Sequence, residues 1–318
     1  MATTAFPINP TLTAIAMVYS NPATALIADD VMPRIPTAKK FAWSNYDVAQ
    51  GFTVPQTLVG RKSVPTEVDF TGTLVNDEVL DYGLDDVVPN DEIEAFNSMV
   101  KPQRGGPLNP LDVSTMLTTK LIQLDREVRV AAKVFNTANY AAGNQATLSG
   151  TSQWSDFANS NPLDAILAAL DIPIYRPNVA VFGQATFTKL RQHPKIVQAV
   201  FGTAQTGGVV TRDQLAQVLE IQKVVVGAGF VNTAKKGQAV NNQRVWGKHA
   251  SFLYVDKEAA MAQQPCWGFT AQWGDKVAGD IPEPKMGIRG SQRVRVAESV
   301  KEVVSASALG YIFQNAVA

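Results

Sequence analysis

Cys266 is the chain's one cysteine, in the stretch Gln264-Pro265-Cys266-Trp267-Gly268. A thiolate nucleophile needs a setting that lowers its pKa and a base to take its proton. The two histidines, His193 and His249, lie far from it in sequence. Cys266 therefore reads as an inert, buried thiol, and a lone cysteine cannot close an internal disulfide. One cysteine and two histidines also make no spaced ligand set of the kind a zinc ion requires. Adjacent carboxylates occur at Asp29-Asp30, Asp85-Asp86 and Asp91-Glu92. Catalytic pairs work when different surroundings drive their pKa values apart. These pairs sit in polar turns at element ends, where solvated or capping acids are expected. Nor is there a Gly-x-Ser-x-Gly elbow. The sequence thus predicts no catalytic residue, no metal site and no enzyme activity.

Two glycine-containing stretches bear on cofactor binding. Val224-Val225-Val226-Gly227-Ala228-Gly229-Phe230-Val231-Asn232 looks like a strand entering a dinucleotide fingerprint. That fingerprint needs a third glycine and a helix whose N-terminus faces the pyrophosphate. Asn232 stands where the third glycine belongs, and a turn follows it. Gly202 to Gly208 is glycine-rich but lacks the Gly-Lys-Ser/Thr of a phosphate loop. A strand with a glycine-dependent turn, and a surface loop, are the expected structures, with no cofactor. The local basic run is Lys285, Arg289, Arg293 and Arg295. It lacks the interleaved aromatics of a single-strand stacking platform, and reads as a subunit contact before a nucleic-acid strip.

The elements around these residues have an unusual order. Residues 1–40 read as an arm, because prolines at 7, 10, 22, 33 and 36 exclude a long helix or central strand. Yet Ile15, Met17, Leu26, Ile27, Val31 and Met32 are too apolar for a free tail. The arm should cross its own subunit or a neighbour. Residues 41–82 read as a long two-stranded ribbon. Phe41 to Val48 and Glu67 to Val75 alternate, and a tip from Gly51 to Pro65 holds Gly60-Arg61-Lys62-Ser63. An isolated ribbon is marginal in water, so it should rest on another surface.

A helix is expected over about 109–138, roughly 45 Å long at the helical rise. Asn109 suits the N-cap, Pro110 the first turn, and Asp112 the positive end of the dipole. Val113, Leu117, Leu121, Leu124, Val128, Ala131 and Phe135 recur at steps of three and four, marking its expected apolar face. Residues 141–160 are rich in Gly, Ser, Thr and Asn and mark a boundary. Beyond them the chain alternates helices (Leu163–Leu170, Ala185–Gln192, Thr211–Leu219) with strands (Val179–Phe182, Lys223–Val226, then Val245–Gly247 and Ala250–Val255). Strands are expected again at Arg293–Ala297, Lys301–Ser305 and Leu309–Phe313.

Composition narrows the function classes. With 46% hydrophobic residues over 318, the chain can bury a sizeable core. Its 28 basic and 28 acidic residues cancel, where a tight nucleic-acid binder carries a basic excess. No run approaches the roughly 18 apolar residues of a membrane span. The N-terminal sequence has no signal-peptide pattern, so a cytoplasmic place of synthesis and assembly is expected.

The ordered parts resemble a known family. Arg176 to Gly183, then Phe187 to Lys195, look like the apical-domain strand and helix of tailed-phage major capsid proteins of the Hong Kong 97 type. Leu219 to Gly227 with Asn232-Thr233-Ala234, Val245 to His249, Leu253 to Val255, Trp267 to Trp273 and Ser307 to Phe313 continue the likeness. Tyr82 to Pro89 is similar to the return of that family's extended loop into its peripheral domain. The resemblance covers nearly the whole chain and rests on the ordered set.

It implies an α+β capsid fold in five parts: an N-terminal arm (1–40), an extended β-ribbon loop (41–82), a peripheral domain (83–158) with the long helix, an apical α/β domain (159–284), and return strands (285–318) completing the peripheral domain. It further implies hexamers and pentamers of this chain closing an icosahedral shell in the virion, around double-stranded DNA. Scaffolding, decoration and portal proteins would be partners. DNA held by confinement needs little basic lining, in keeping with the zero net charge. Some relatives carry a lysine–asparagine cross-link; Lys62 lies in the ribbon tip without an identifiable partner, and no cross-link is expected. An encapsulin-like nanocompartment shell, or less favourably an α/β nucleotide-binding enzyme, are the alternatives.

Overall fold

The computed structural model describes residues 26–46, 52–69, 72–98, 109–202, 207–235, 237–261 and 265–318. Along the chain run α1 (Ala28–Val31), β1 (Arg34–Pro36), β2 (Lys40–Tyr46), β3 (Gly72–Glu78), β4 (Leu80–Pro89), α2 (Asn90–Ser98) and α3 (Pro110–Val134). After β5 (Gln145–Thr147) come α4 (Pro162–Leu170), β6 (Val179–Gly183), α5 (Gln184–Leu190), α6 (Pro194–Phe201) and α7 (Arg212–Leu219). Then follow β7 (Lys223–Gly227), β8 (Phe230–Asn232), β9 (Asn242–Arg244), β10 (Ala250–Leu253) and α8 (Lys257–Met261). The chain closes with β11 (Gly268–Gln272), β12 (Val277–Glu283), β13 (Ser291–Val304) and β14 (Gly310–Gln314).

Two sheets result. In the first, β13 is the central strand. It pairs antiparallel with β4 on one side, from Ser291↔Pro89 to Val300↔Leu80. On its other side it pairs with β12 and then β11. β1 adds itself parallel to β11. The two expected strands at 293–297 and 301–305 are therefore one strand of 14 residues. The polar pair Glu298-Ser299 interrupted the sequence pattern, but Glu298 is buried and bonded to Arg34 at 3.0 Å. The second sheet runs β5-β14-β10-β6-β7. Its strands β6 and β7 are parallel, as the continuous apolar runs Val179–Phe182 and Val224–Val226 suggest for strands covered on both faces. Ile166, Leu170, Phe187, Leu190, Ile196, Leu215 and Leu219 from α4 to α7 pack with Phe182, Val226 and Phe252 in one core cluster.

The sheets do not divide the chain at 284/285, as the five-part division anticipated. β11 and β12 belong with β13 in the first sheet, and β14 joins the second sheet between β5 and β10. The arm of 1–40 divides as well. Residues 1–25 lie outside the described residues, while Ile27, Ala28, Val31 and Met32 are buried in a cluster with Val130, Val134 and Trp246. Apolar residues at those four positions bury on their own subunit, and β1 secures them by sheet pairing.

The long helix begins as its residues dictate. The Asn109 side chain accepts from Leu111 N at 3.1 Å, and Pro110 follows it. It spans 25 residues, about 37 Å at 1.5 Å per residue. Of its expected apolar face only the C-terminal end is packed as expected, with Ala131 buried and Phe135 against the same cluster. Ser114, Thr115, Thr118, Thr119, Ile122, Arg126, Glu127, Val130, Ala131 and Val134 are buried. Leu117 and Leu121 are each 56% exposed, while Val113, Leu124 and Val128 are half-buried. Periodicity locates an apolar stripe but cannot say whether the subunit's own sheet or something else covers it. The hydroxyls tolerate burial because Thr115 donates to Leu111 O at 2.8 Å and Thr119 to Thr115 O at 2.7 Å.

In the ribbon, β2 and β3 pair from Lys40↔Glu78 to Tyr46↔Gly72. The second strand thus lies C-terminal to the expected Glu67–Val75, and Glu67 to Asp69 are not in strand. Val245 to Lys248 form a turn where a strand was expected, with Gly247 at φ +50°.

Candidate assembly surfaces and the reactive residues

Most of the residues singled out for chemistry have a structural role in the fold. Cys266 is buried; burial pushes its thiol up, and its sulfur meets Ser305 Oγ at 3.7 Å with no histidine beside it. His193 caps α6, its Nδ1 accepting from Lys195 N at 3.2 Å and its Nε2 meeting Ser160 Oγ at 3.0 Å. His249 Nδ1 accepts from Asn315 N, and its ring packs on Phe135. Burial lowers the pKa of both imidazoles, which favours the neutral form that accepts these bonds.

The glycine decoy has a packing explanation. Gly183 and Gly227 are register partners at the ends of β6 and β7. A Cβ on Gly227 would meet the Trp246 ring at 2.1 Å, and one on Gly183 would meet Gly247 O at 2.2 Å. Both glycines make room for the 245–248 turn. The chain then enters the β8–β9 hairpin, so no helix N-terminus follows Gly229 to face a phosphate.

The acid pairs and the basic run largely answer one another. Arg295 clamps Asp85 through two bonds of 2.7 Å, and Arg293 reaches Asp85 and Glu283. Arg289 pairs with Asp91 and Glu94. Asp86 accepts from Ser114 Oγ, Asp29 pairs with Arg34 and Arg126, and Asp30 pairs with Lys223. Charges neutralised this way within the subunit leave little to release counterions from a phosphate backbone. The bond from Arg295, assisted by Arg293, holds Asp85 below its ordinary carboxylate value of 3.8. A depressed folded pKa gives stability that is present above the unfolded value and lost as pH falls through the folded one. Asp85→Asn should therefore cost about 1 kcal/mol at neutral pH. That difference should close in acid, as urea denaturation from pH 7 down to pH 2 would show. A pH-independent difference would contradict it.

Sequence reasoning missed a buried polar cluster joining helix, arm and sheet. Glu127 accepts from Ile27 N at 2.8 Å, Ala28 N at 2.9 Å and Trp246 Nε1 at 2.5 Å. Burial pushes its carboxyl up, and the three donors work against that. Its neighbour Arg126 bonds Asp29 at 2.7 Å, Thr270 Oγ1 at 3.1 Å and Met32 O at 3.2 Å. Burial opposes charge on Asp29, but Arg126 and Arg34 outweigh it and hold its pKa low. Arg129 bonds Glu302 and lies 3.6 Å over the Tyr82 ring. The only signal in sequence was Arg126 standing inside a helix opposite its leucines, with Glu127 next to it.

What remains without cover is apolar. Besides Leu117 and Leu121, the ribbon tip exposes Val54, Leu58, Val64 and Val68. Residues 52–69 are exposed throughout, although Phe52 also touches Tyr175 edge-on. Surfaces of this kind mark protein–protein contacts.

The chain is 50% identical to the major capsid protein of Pseudomonas phage JBD67 over 319 residues, covering all of both chains. It belongs to the phage major capsid protein family. The major capsid protein of Burkholderia phage BcepMu is 26% identical over 277 residues, 83% of this chain and 82% of that one. Among solved structures, a phage-related protein from Bordetella bronchiseptica RB50 superposes with TM-score 0.73 at 20% identity, over 97% of each chain. The capsid of Cyanophage P-SCSP1u gives 0.59 at 11% identity, over 93% of this chain and 90% of that one. An encapsulin from Synechococcus elongatus gives 0.50 at 10% identity, over 99% and 92%. This capsid chain has the Hong Kong 97-type α+β fold that the sequence resembled. No protein-family model matches it.

Proposed function

We propose that this chain forms the shell of a phage virion. Its copies associate as hexamers and pentamers that close an icosahedral lattice around double-stranded DNA. It works by assembly and performs no catalysis. The observation that carries this reading is the ribbon, whose tip projects apolar side chains into solvent. A two-stranded ribbon exposing valine and leucine is stable only against a further surface, and repeated copies supply one. Contacts that are weak singly become strong when every copy makes several in a closed lattice.

In this reading the first sheet with α3 is the peripheral domain, and the second sheet with α4 to α7 is the apical domain, nearest the capsomer axis. Assembly takes place in the host cytoplasm, with a portal and a scaffolding or decoration protein as partners. The encapsulin likeness gives the nanocompartment reading the same fold, so the enclosed material decides between them. Negative-stain electron microscopy with sedimentation velocity on the recombinant chain tests the proposal. Closed polyhedra, or rings of five and six, are expected. Nucleic acid within virions supports the phage shell; a co-purifying enzyme cargo overturns it in favour of a compartment. A stable monomer that forms no rings, even with its phage's other structural proteins, overturns both.

A further inference from the structure

The corner formed by α5, α6 and α7 carries cations that no carboxylate of the described subunit answers. Residues 184–219 hold Lys189, Arg191, Lys195 and Arg212 against a single acid, Asp213, in a chain whose formal charge is zero. Lys189, Lys195 and Arg212 are exposed and Arg191 is half-buried. Elsewhere the arginines find acids: Arg34, Arg126, Arg129, Arg289, Arg293 and Arg295 all pair with carboxylates. Among the described residues none of the four corner cations makes an ion pair, and Arg191 Nε has no acceptor. We propose that this corner is a phosphate-binding surface whose partner is the backbone of duplex DNA. It rests on the shell reading above for the identity of that partner.

Three observations carry it. First, aromatic rings hold the cations in place. The Arg191 and Arg212 guanidinium carbons lie 5.5 and 5.9 Å from the centre of one ring, Phe187. Lys189 Nζ stands 5.9 Å from the centre of the Phe157 ring, which meets the His193 ring edge-on at 5.4 Å. His193 in turn caps α6 two residues before Lys195. The backbone closes the corner, since Val210 N donates to Arg191 O at 3.0 Å and so ties the entry of α7 to the end of α5. Second, the neutral side chains Thr188, Gln192 and Thr211 are exposed among these cations. Hydroxyls and amides beside lysine and arginine are the donors that phosphate oxygens accept from. Third, a second copy offers no match. Acids without an ion pair, such as Glu78, Glu92, Glu258 and Asp275, are spread singly over β3, α2, α8 and the β11–β12 turn. A duplex carries one charge per about 1.7 Å of its axis, so four neighbouring cations meet phosphates in any register.

The test is fluorescence anisotropy of a labelled short DNA duplex, titrated with the full chain over a range of salt. In the triple variant Lys189→Gln, Lys195→Gln and Arg212→Gln, the slope of log K against log salt should shrink by about 2.7, at about 0.9 per phosphate contact, and binding at low salt should weaken at least about tenfold. Lys235→Gln, Lys257→Gln and Lys285→Gln together remove the same charge elsewhere and should leave the slope as it is. Equal losses in the two triples would make the effect one of net charge and overturn the proposal, as would an unchanged slope in the first. Lys195→Gln alone, which disturbs no ring contact, should take about 0.9 from the slope, and provides the reading if the triple variant folds poorly. Inorganic phosphate and chloride at equal ionic strength should displace the duplex equally. Stronger displacement by phosphate would assign the corner to a small free anion. Electron microscopy of the same samples keeps the two readings apart. Shells with an unchanged slope sink only the DNA surface, whereas failure of the native chain to form shells or rings counts against the shell reading whatever the slope. A first triple that loses its rings and keeps its DNA affinity would assign the corner to a neighbouring subunit and overturn the proposal.

Discussion

Glu127→Ala is expected to destabilise the subunit by about 3–5 kcal/mol, the scale for removing one partner from a buried, hydrogen-bonded charge. The substitution leaves three buried N–H donors without an acceptor: two from the backbone at Ile27 and Ala28, and one from Trp246. Glu127 and Trp246 are both fully buried, so bulk solvent does not reach the carboxylate's place. Equilibrium urea denaturation would report the loss as a lower midpoint, and limited proteolysis would report cleavage near residues 26–33. Glu127→Gln keeps one side-chain oxygen and should cost only about 1–2 kcal/mol, the scale of one or two lost hydrogen bonds.

The two variants also differ in pH response. Burial raises the Glu127 pKa above its ordinary 4.5, so the folded chain holds this proton more tightly than the unfolded one. Stability from this group is full below the unfolded value and declines as pH rises through the folded value. Glutamine does not titrate. The Gln variant should thus gain on the native chain as pH rises from 4 to 8. A loss under 1 kcal/mol in the Ala variant would sink this account of the cluster.

The second large effect concerns a single methyl group. Gly227→Ala should cost about 3 kcal/mol, at the upper end of overpacking, because its Cβ would stand 2.1 Å from a buried tryptophan ring. Trp246 cannot swing aside without releasing its bond to Glu127. Gly143→Ala is the matched control: nothing lies within 4 Å of its added Cβ, and its cost should stay below about 0.5 kcal/mol. Thermal denaturation of the two variants side by side checks both numbers. Equal melting temperatures would return Gly227 to being a mere turn residue.

Much of this architecture was legible because local rules and tertiary packing agreed. Asn109-Pro110 announced a helix start, Thr211 the opening of another, and Val179–Phe182 a buried strand. The errors fall where packing overrode pattern. Along most of α3 leucine periodicity chose the wrong face because arginine, glutamate and threonine are buried there as bonded groups, and pairing is invisible to hydropathy. Glu298 hid the middle of β13 for the same reason. Cys266 was expected to be buried and is, and Gly227 was expected at a strand end and stands there against the Trp246 ring. The Glu127 cluster could not be read, since its donors come from positions 27, 28 and 246, joined only by the fold.

The ribbon and the first sheet share a continuous run of chain: β3 ends at Glu78, and β4 begins at Leu80. A load on the ribbon therefore reaches the first sheet through β4. The hydrogen bonds tying β4 to β13 lie across that strand's axis. A pull along the axis loads them in shear, all ten register pairs together, where a peeling geometry would break them one at a time. The same sheet holds α3 through Arg129–Glu302 and Ser114–Asp86. A load that reaches β4 along its length is thus spread over a whole ladder before any one bond must yield.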